Sequence, residues 1–210
     1  STTDLDEPRF ISIVQPYGSE TFGQIGGRAS FQFDTRDVPA AARKGMFLDV
    51  GGSVFPGIWD VEELFGEVHG AVSTYLSTQA IPLKPTLGLR VGGKKVWGRV
   101  PYQEAAFIGD AETVRLGQKN RYAGDAAVFG NAELRLEVSD VFLVLPGRFG
   151  VFGLADVGRV YLEGETSDEW HTGFGGGIWL AFLSSANTVQ LGVVGSEGRT
   201  GIYAGAGFAF

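Results

Sequence analysis

Apolar and polar residues alternate with a period of two along most of this chain. The segment 128–138 shows the pattern most clearly, because Leu134, Leu136 and Val138 share one side and Glu133, Arg135 and Glu137 share the other. Successive side chains of a β-strand point to opposite faces. A face that reads Glu-x-Arg-x-Glu cannot be a dry core, whereas a polar lumen accommodates it. The segment therefore predicts a strand with one apolar face and one wet face.

The same pattern recurs and predicts about ten strands. They cover 9–15, 28–37, 46–55, 68–78, 86–92, 128–138, 148–162, 173–183, 188–196 and 199–210. Helical periodicity is convincing nowhere. A tilted transmembrane strand needs about 9–11 residues, so we predict an all-β fold, a transmembrane antiparallel up-and-down β-barrel over 9–210, after an acidic tail at 1–8. An even strand count would place both chain ends on one side of the membrane.

The segment 94–125 breaks this rhythm. It is long, polar and lacks alternation. A structureless connection of this length inside a compact domain is usually functional. We expect a long loop on the side opposite the short turns, such as 184–187.

Composition excludes several classes of protein. Glycine contributes 33 of 210 residues without matching proline, which suits bent and closely packed strands. A net charge of −7 argues against a nucleic-acid partner, and the absence of cysteine excludes disulfides. No apolar run is long enough for a transmembrane helix. Because Ser1 is not a natural start, we expect a mature or trimmed chain.

The sequence offers no catalytic or metal-binding motif. His69 and His171 lie far apart, with no carboxylate at metal-ligand spacing, so we interpret both as lumen or loop residues. The glycine run 173–177 lacks the lysine of a phosphate loop, and no Gly-x-Ser-x-Gly elbow occurs. We therefore predict a protein that is not an enzyme and holds no metal or cofactor.

The last strand carries a first resemblance. Tyr203-x-Gly205-x-x-Phe208-x-Phe210 resembles the C-terminal sorting signal of bacterial outer-membrane barrels. Alternation places Phe208 and Phe210 with Ile202 on one face, which we expect to contact lipid. The alternative is an ordinary edge strand that happens to end on phenylalanine.

Four further segments, in order along the chain, resemble one family. They are the turn at 34–45, the loop segment 114–125, the strand start at 131–135 and the strand 154–160. Together they resemble the bacterial surface antigen family, the outer-membrane insertase and translocase barrels that include BamA and TamA, over roughly 26–210. Leu116 and Gly117 depart from the family pattern, which has glycine and then an aromatic residue after the arginine of the loop tip.

The resemblance implies a loop that folds into the lumen and is tethered there. It places Arg115 against Asp156, with Gly158 on the same strand and Arg121 and Asp125 in the loop. Arg115 could instead be a solvated loop charge. Asp156 shares parity with Phe152 and Leu154, which alternation sends to lipid, so this pairing requires a β-bulge near Gly153.

Three functions follow from these observations. The first, implied by the resemblance, is an outer-membrane barrel that assists protein insertion or export through a strand seam and the lumen loop. Its partners would be lipids and unfolded barrel proteins or a secreted protein. The second is a plugged structural or anchor barrel without insertase activity. The third is a soluble barrel for an apolar ligand. The family's usual periplasmic domains are not found in the sequence, and the oligomeric state stays open.

Overall fold

The computed structural model describes residues 14–116, 119–142, 144–166 and 168–210, and they form an all-β fold. The predicted tail 1–8 and most of the predicted strand 9–15 lie outside these residues. The strands are β1 Gly27–Asp34, β2 Gly45–Phe55, β3 Phe65–Ser77, β4 Thr86–Gly98, β5 Ala106–Ile108, β6 Tyr122–Gly124, β7 Ala126–Phe142, β8 Pro146–Tyr161, β9 His171–Phe182, β10 Thr188–Ser196 and β11 Arg199–Ala206.

Nine of these strands form one antiparallel sheet in the order β1-β2-β3-β4-β7-β8-β9-β10-β11, and β5 and β6 form a separate pair. Each strand of the large sheet pairs with its neighbours along the chain, so the predicted antiparallel, up-and-down arrangement is confirmed. Short 3₁₀ turns lie at Pro39–Ala41, Tyr102–Glu104 and Ser185–Asn187. None of the described helices is long and apolar enough to cross a bilayer.

The large sheet is open. Within the described residues β1 and β11 each pair with one neighbour only, so the predicted closed cylinder of about ten strands is not formed. The described residues of the connections after β1, β3, β7 and β9 lie at one end of the sheet, which we call the short-turn end. The described residues of the connections after β2, β4, β8 and β10 lie at the other, the long-loop end. Because nine is odd, β1 and β11 both run from the long-loop end to the short-turn end.

One face of the sheet, the exposed face, carries large apolar side chains that no described part of the chain covers. They occur on every strand of the sheet and include Phe31, Val50, Val68, Val91, Leu134, Val157, Ile178, Leu191 and Ile202. Alternation is regular in β7, where Leu134 is 45% exposed while its neighbours Glu133 and Arg135 are buried. The predicted division of this strand into an apolar and a charged face is confirmed, but the charged face is buried rather than wet.

The long loop covers the opposite face, which we call the covered face. Ile108, Val114 and Leu116 are fully buried and pack against Ala127 and Phe129 of β7. β4 continues to Gly98, so the connection begins at 99 rather than at 94 and contains the pair β5–β6. The loop is therefore a packed layer on the sheet and has its own apolar core.

The orientation predicted for the middle of β8 is wrong. Phe152 and Leu154 are buried on the covered face with Asp156, so no bulge at Gly153 is required. β7 and β8 pair without interruption there, and the register shift between them lies at Glu137–Ser139. The physical reason is that Phe152 and Leu154 pack with Trp179, also on the covered face, and thereby bury their apolar surface inside the protein.

The orientation predicted for the last residues is also wrong. β11 ends at Ala206, and Gly207 follows with a φ of +77°, in the left-handed region that favours glycine. The chain then turns onto the covered face, where the amide of Phe208 donates to the carbonyl of Ala40 at 2.8 Å. Phe210 is buried against Tyr75, while Ile202 stays on the exposed face as predicted.

Candidate functional site

Arg115 lies at the centre of a buried charge network on the covered face. Its Nε donates to Asp156 Oδ2 at 2.6 Å and its Nη2 to Asp156 Oδ1 at 2.8 Å. Its main-chain N–H donates to Oδ2 at 3.0 Å, and its Nη1 donates to Glu133 Oε2 at 2.9 Å. Arg115 is 4% exposed, Asp156 2% and Glu133 0%, so the arginine is not a solvated loop charge.

The network continues from Glu133 to the end of the chain. Glu133 Oε1 accepts a bond of 2.7 Å from Arg135 Nε. Arg135 also donates to the carbonyl of Ala42, at 3.0 Å, and to the main-chain oxygen of Phe210, at 2.9 Å. The Phe208 ring lies 3.7 Å from the Arg135 guanidinium. One chain of contacts thus joins the loop, β7, β8, the β1–β2 turn and the last residues.

Two arginines and two carboxylates make this network close to neutral. Ion pairs removed from water are tolerated only where the geometry is good and the remaining donors and acceptors are satisfied. Here Asp156 accepts two bonds from the Nε/Nη2 edge of the Arg115 guanidinium and another from Asn131 Nδ2 at 2.9 Å. Burial lowers the pKa of the Arg115 guanidinium, but the bonds to Asp156 and Glu133 outweigh burial and raise it. Arg115 therefore stays charged.

Glycines allow the loop to come this close to the sheet. A Cβ on Gly158 would lie 2.5 Å from Val114 Cγ2, and a Cβ on Gly173 would lie 2.3 Å from the carbonyl oxygen of Arg115. Real Cβ contacts are not this short, so a side chain at either position would push the loop away. Gly158, which the resemblance names with the tether, and Gly173 of β9 both lie directly beneath the loop.

The other residues named from sequence lie elsewhere. Asp125 ends the loop, where its Oδ2 accepts a bond from the amide of Glu163 at 2.7 Å. Arg121 lies at the long-loop end and pairs with Glu197 at 2.8 Å. Tyr203 is on the covered face, with its ring 5.9 Å from the Arg115 guanidinium, and Gly205 pairs with Gln190 in the β10–β11 ladder. Arg121 and Asp125 thus take no part in the buried network.

Sequence reasoning missed the central role of Glu133 and Arg135. The alternation of β7 predicts a wet face for them, but they are buried and tie the loop to the chain end. The signal was present in the Glu-x-Arg-x-Glu alternation of β7. Because two neighbouring charges on one strand face can be hydrated or paired, alternation alone could not show their partners.

The open edges are the second feature of interest. Every residue of β1 is exposed, and every residue of β11 is exposed or half-buried. Each edge presents main-chain N–H and C=O groups to which another strand could pair.

Comparison with protein-family models and with curated proteins finds no match for this chain.

Proposed function

We propose that the chain forms part of an outer-membrane β-barrel that assists insertion or export of proteins, with the long loop held inside it. The observation that carries this proposal is the division of the sheet between an apolar exposed face and a covered face with buried charges. Lipid-facing and lumen-facing residues alternate in this way in transmembrane barrels. A soluble barrel for an apolar ligand would place its apolar face inside.

Strand length supports the same proposal. The nine strands of the large sheet contain 8 to 17 residues, and a tilted strand crosses the hydrocarbon layer in about 9–11. Three tryptophans at the long-loop end, Trp59, Trp97 and Trp170, are exposed, as in an aromatic girdle at a membrane interface. The fourth, Trp179, packs on the covered face instead.

The open edges suggest how a substrate would be engaged. β1 and β11 run in the same direction, so pairing them directly would create a parallel seam in an antiparallel sheet. An antiparallel closure requires an odd number of additional strands between them, and each edge accepts a strand that runs from the short-turn end to the long-loop end. A strand of an unfolded barrel protein would enter by such edge pairing.

Reconstitution into liposomes tests the insertase function. Unfolded barrel proteins should insert faster into liposomes that contain this chain than into empty ones. A cysteine placed on β1 or β11, in a chain that has none, should crosslink to the substrate strand, whereas one on the central strand β7 should not. Equal insertion rates with and without the protein would overturn the proposal.

A plugged anchor barrel is the second candidate, and the tether of the loop favours it. Arg115 and the apolar residues around it fasten the loop across the covered face. Such a barrel would sit in the membrane, conduct little and accelerate no insertion. Bilayer conductance before and after deletion of 99–125 distinguishes a plug from an open pore, since only a plug gives a rise in conductance on deletion.

A further inference from the structure

A second cluster of polar side chains lies at the long-loop end, away from the buried network. His171 begins β9, Glu169 precedes it by two residues, and Glu197 lies in the turn between β10 and β11. One possible ligand atom from each lies within 4.8 Å of the other two. His171 is buried and both glutamates are at the surface. Sequence spacing could not reveal the cluster, because His171 and Glu197 are 26 residues apart.

Neighbouring residues already orient two of these side chains. Glu197 Oε1 lies 2.7 Å from His171 Nδ1. The other oxygen, Oε2, accepts bonds from the Tyr122 hydroxyl at 2.7 Å and from Arg121 at 2.8 Å. The Tyr122 ring stacks on the imidazole with 3.6 Å between centroids. Carboxylates and imidazoles that bind metals are typically held from behind by such outer contacts, and losing one costs about 10–100-fold in affinity.

We propose that His171, Glu169 and Glu197 form a binding site for a divalent transition-metal ion of the zinc class. One imidazole nitrogen and two carboxylate oxygens, with water as the fourth ligand, make a tetrahedral set. His171 would bind through Nδ1 with its proton on Nε2, so the metal replaces the hydrogen bond to Glu197. The distance between Nδ1 and Oε1 is now 2.7 Å. It must increase to about 3.3 Å if both atoms are to lie about 2.0–2.1 Å from a tetrahedral metal ion.

Charge and ligand type both favour this occupant. In the described contacts two carboxylates face the guanidinium of Arg121, which gives these three side chains a net negative charge. An imidazole ligand suits zinc, copper or nickel, whereas magnesium and calcium prefer oxygen alone. Glu169 takes no part in the described bonds around Glu197. Removing Glu169 therefore tests metal binding without disturbing the described contacts that hold the end of the loop.

Metal titration of the full chain in detergent micelles tests the site. We expect the wild type to bind one equivalent of Zn²⁺ by calorimetry and to give the visible absorption of tetrahedral Co²⁺. Glu169→Gln should weaken binding at least 10-fold, and Tyr122→Phe, which keeps the ring, about 10–100-fold. Glu165→Gln, a carboxylate of the same connection outside the cluster, is the matched control and should bind like the wild type.

Two results would overturn the site. One is the absence of stoichiometric Zn²⁺ binding by the wild type. The other is equal affinity of the Glu169→Gln and Glu165→Gln variants, which would indicate diffuse attraction to an acidic surface. Both glutamates are exposed, so neither variant endangers folding. The outcome is also independent of the insertase function, because it requires no substrate protein.

Discussion

Removal of the Arg115 side chain should release the long loop from the sheet. Arg115→Ala deletes two bonds to Asp156 and one to Glu133, both buried carboxylates. Asp156 would keep only the bonds from Asn131 and from the main chain of residue 115. Breaking a buried pair by removing one partner costs about 3–5 kcal/mol, a large part of a typical unfolding free energy of about 5–15 kcal/mol.

Urea unfolding in micelles, followed by tryptophan fluorescence, measures this loss, and limited proteolysis within 99–125 reports the freed loop. The double variant Arg115→Ala/Asp156→Ala should cost about 2 kcal/mol less than the sum of the single variants, because the two side chains are directly bonded. Arg99→Ala is the control, since its pair with Glu62 is half-exposed and should contribute less than about 1 kcal/mol. If Arg115→Ala lowers the free energy of unfolding no more than Arg99→Ala does, Arg115 does not tether the loop.

Three further predictions follow from close contacts and charge. Gly173→Ala should expose the loop to protease, because its Cβ would lie 2.3 Å from a loop carbonyl, whereas Gly153→Ala, with no atom closer than 3.9 Å, should not. Gly207→Ala should lower the free energy of unfolding in urea more than Gly198→Ala. Both glycines have a positive φ, which costs an alanine about 1–2 kcal/mol, but only a Cβ at position 207 would also clash, at 2.8 Å from the carbonyl oxygen of Ala40. Burial raises the pKa of Glu197, but the hydrogen bonds from Tyr122 and His171 outweigh burial and lower this pKa below 4.5. The stability that Glu197 contributes to the fold is therefore present above pH 4.5 and is lost as the pH falls through the lower folded pKa. Hydrogen exchange at the end of the loop should detect this loss.

The alternation of β7 could be predicted because it depends only on the period of two along a strand. The same rule failed in β8, since Phe152 and Leu154 gain as much by packing with Trp179 as by facing lipid. Hydrophobicity does not distinguish these two environments. The strand count and the direction of the edges depend on which strands pair, and this information is not local.

Only those residues of the candidate site that the family resemblance names could be predicted from the sequence. Arg115 and Asp156, named in this way, are in contact, whereas the links through Glu133 and Arg135 to the chain end depend on the complete fold. The cluster around Glu197 could not be found from spacing, because a turn between the last two strands brings it to His171.

The turn at Gly207 decides when the two C-terminal aromatic rings are accessible. In the finished fold Phe210 is buried and the half-buried Phe208 ring lies over Arg135, so both rings have much less surface free for another protein than in the unfolded chain. A factor that recognises these rings must act while the chain is still unfolded. Folding therefore reduces the accessibility of both C-terminal rings.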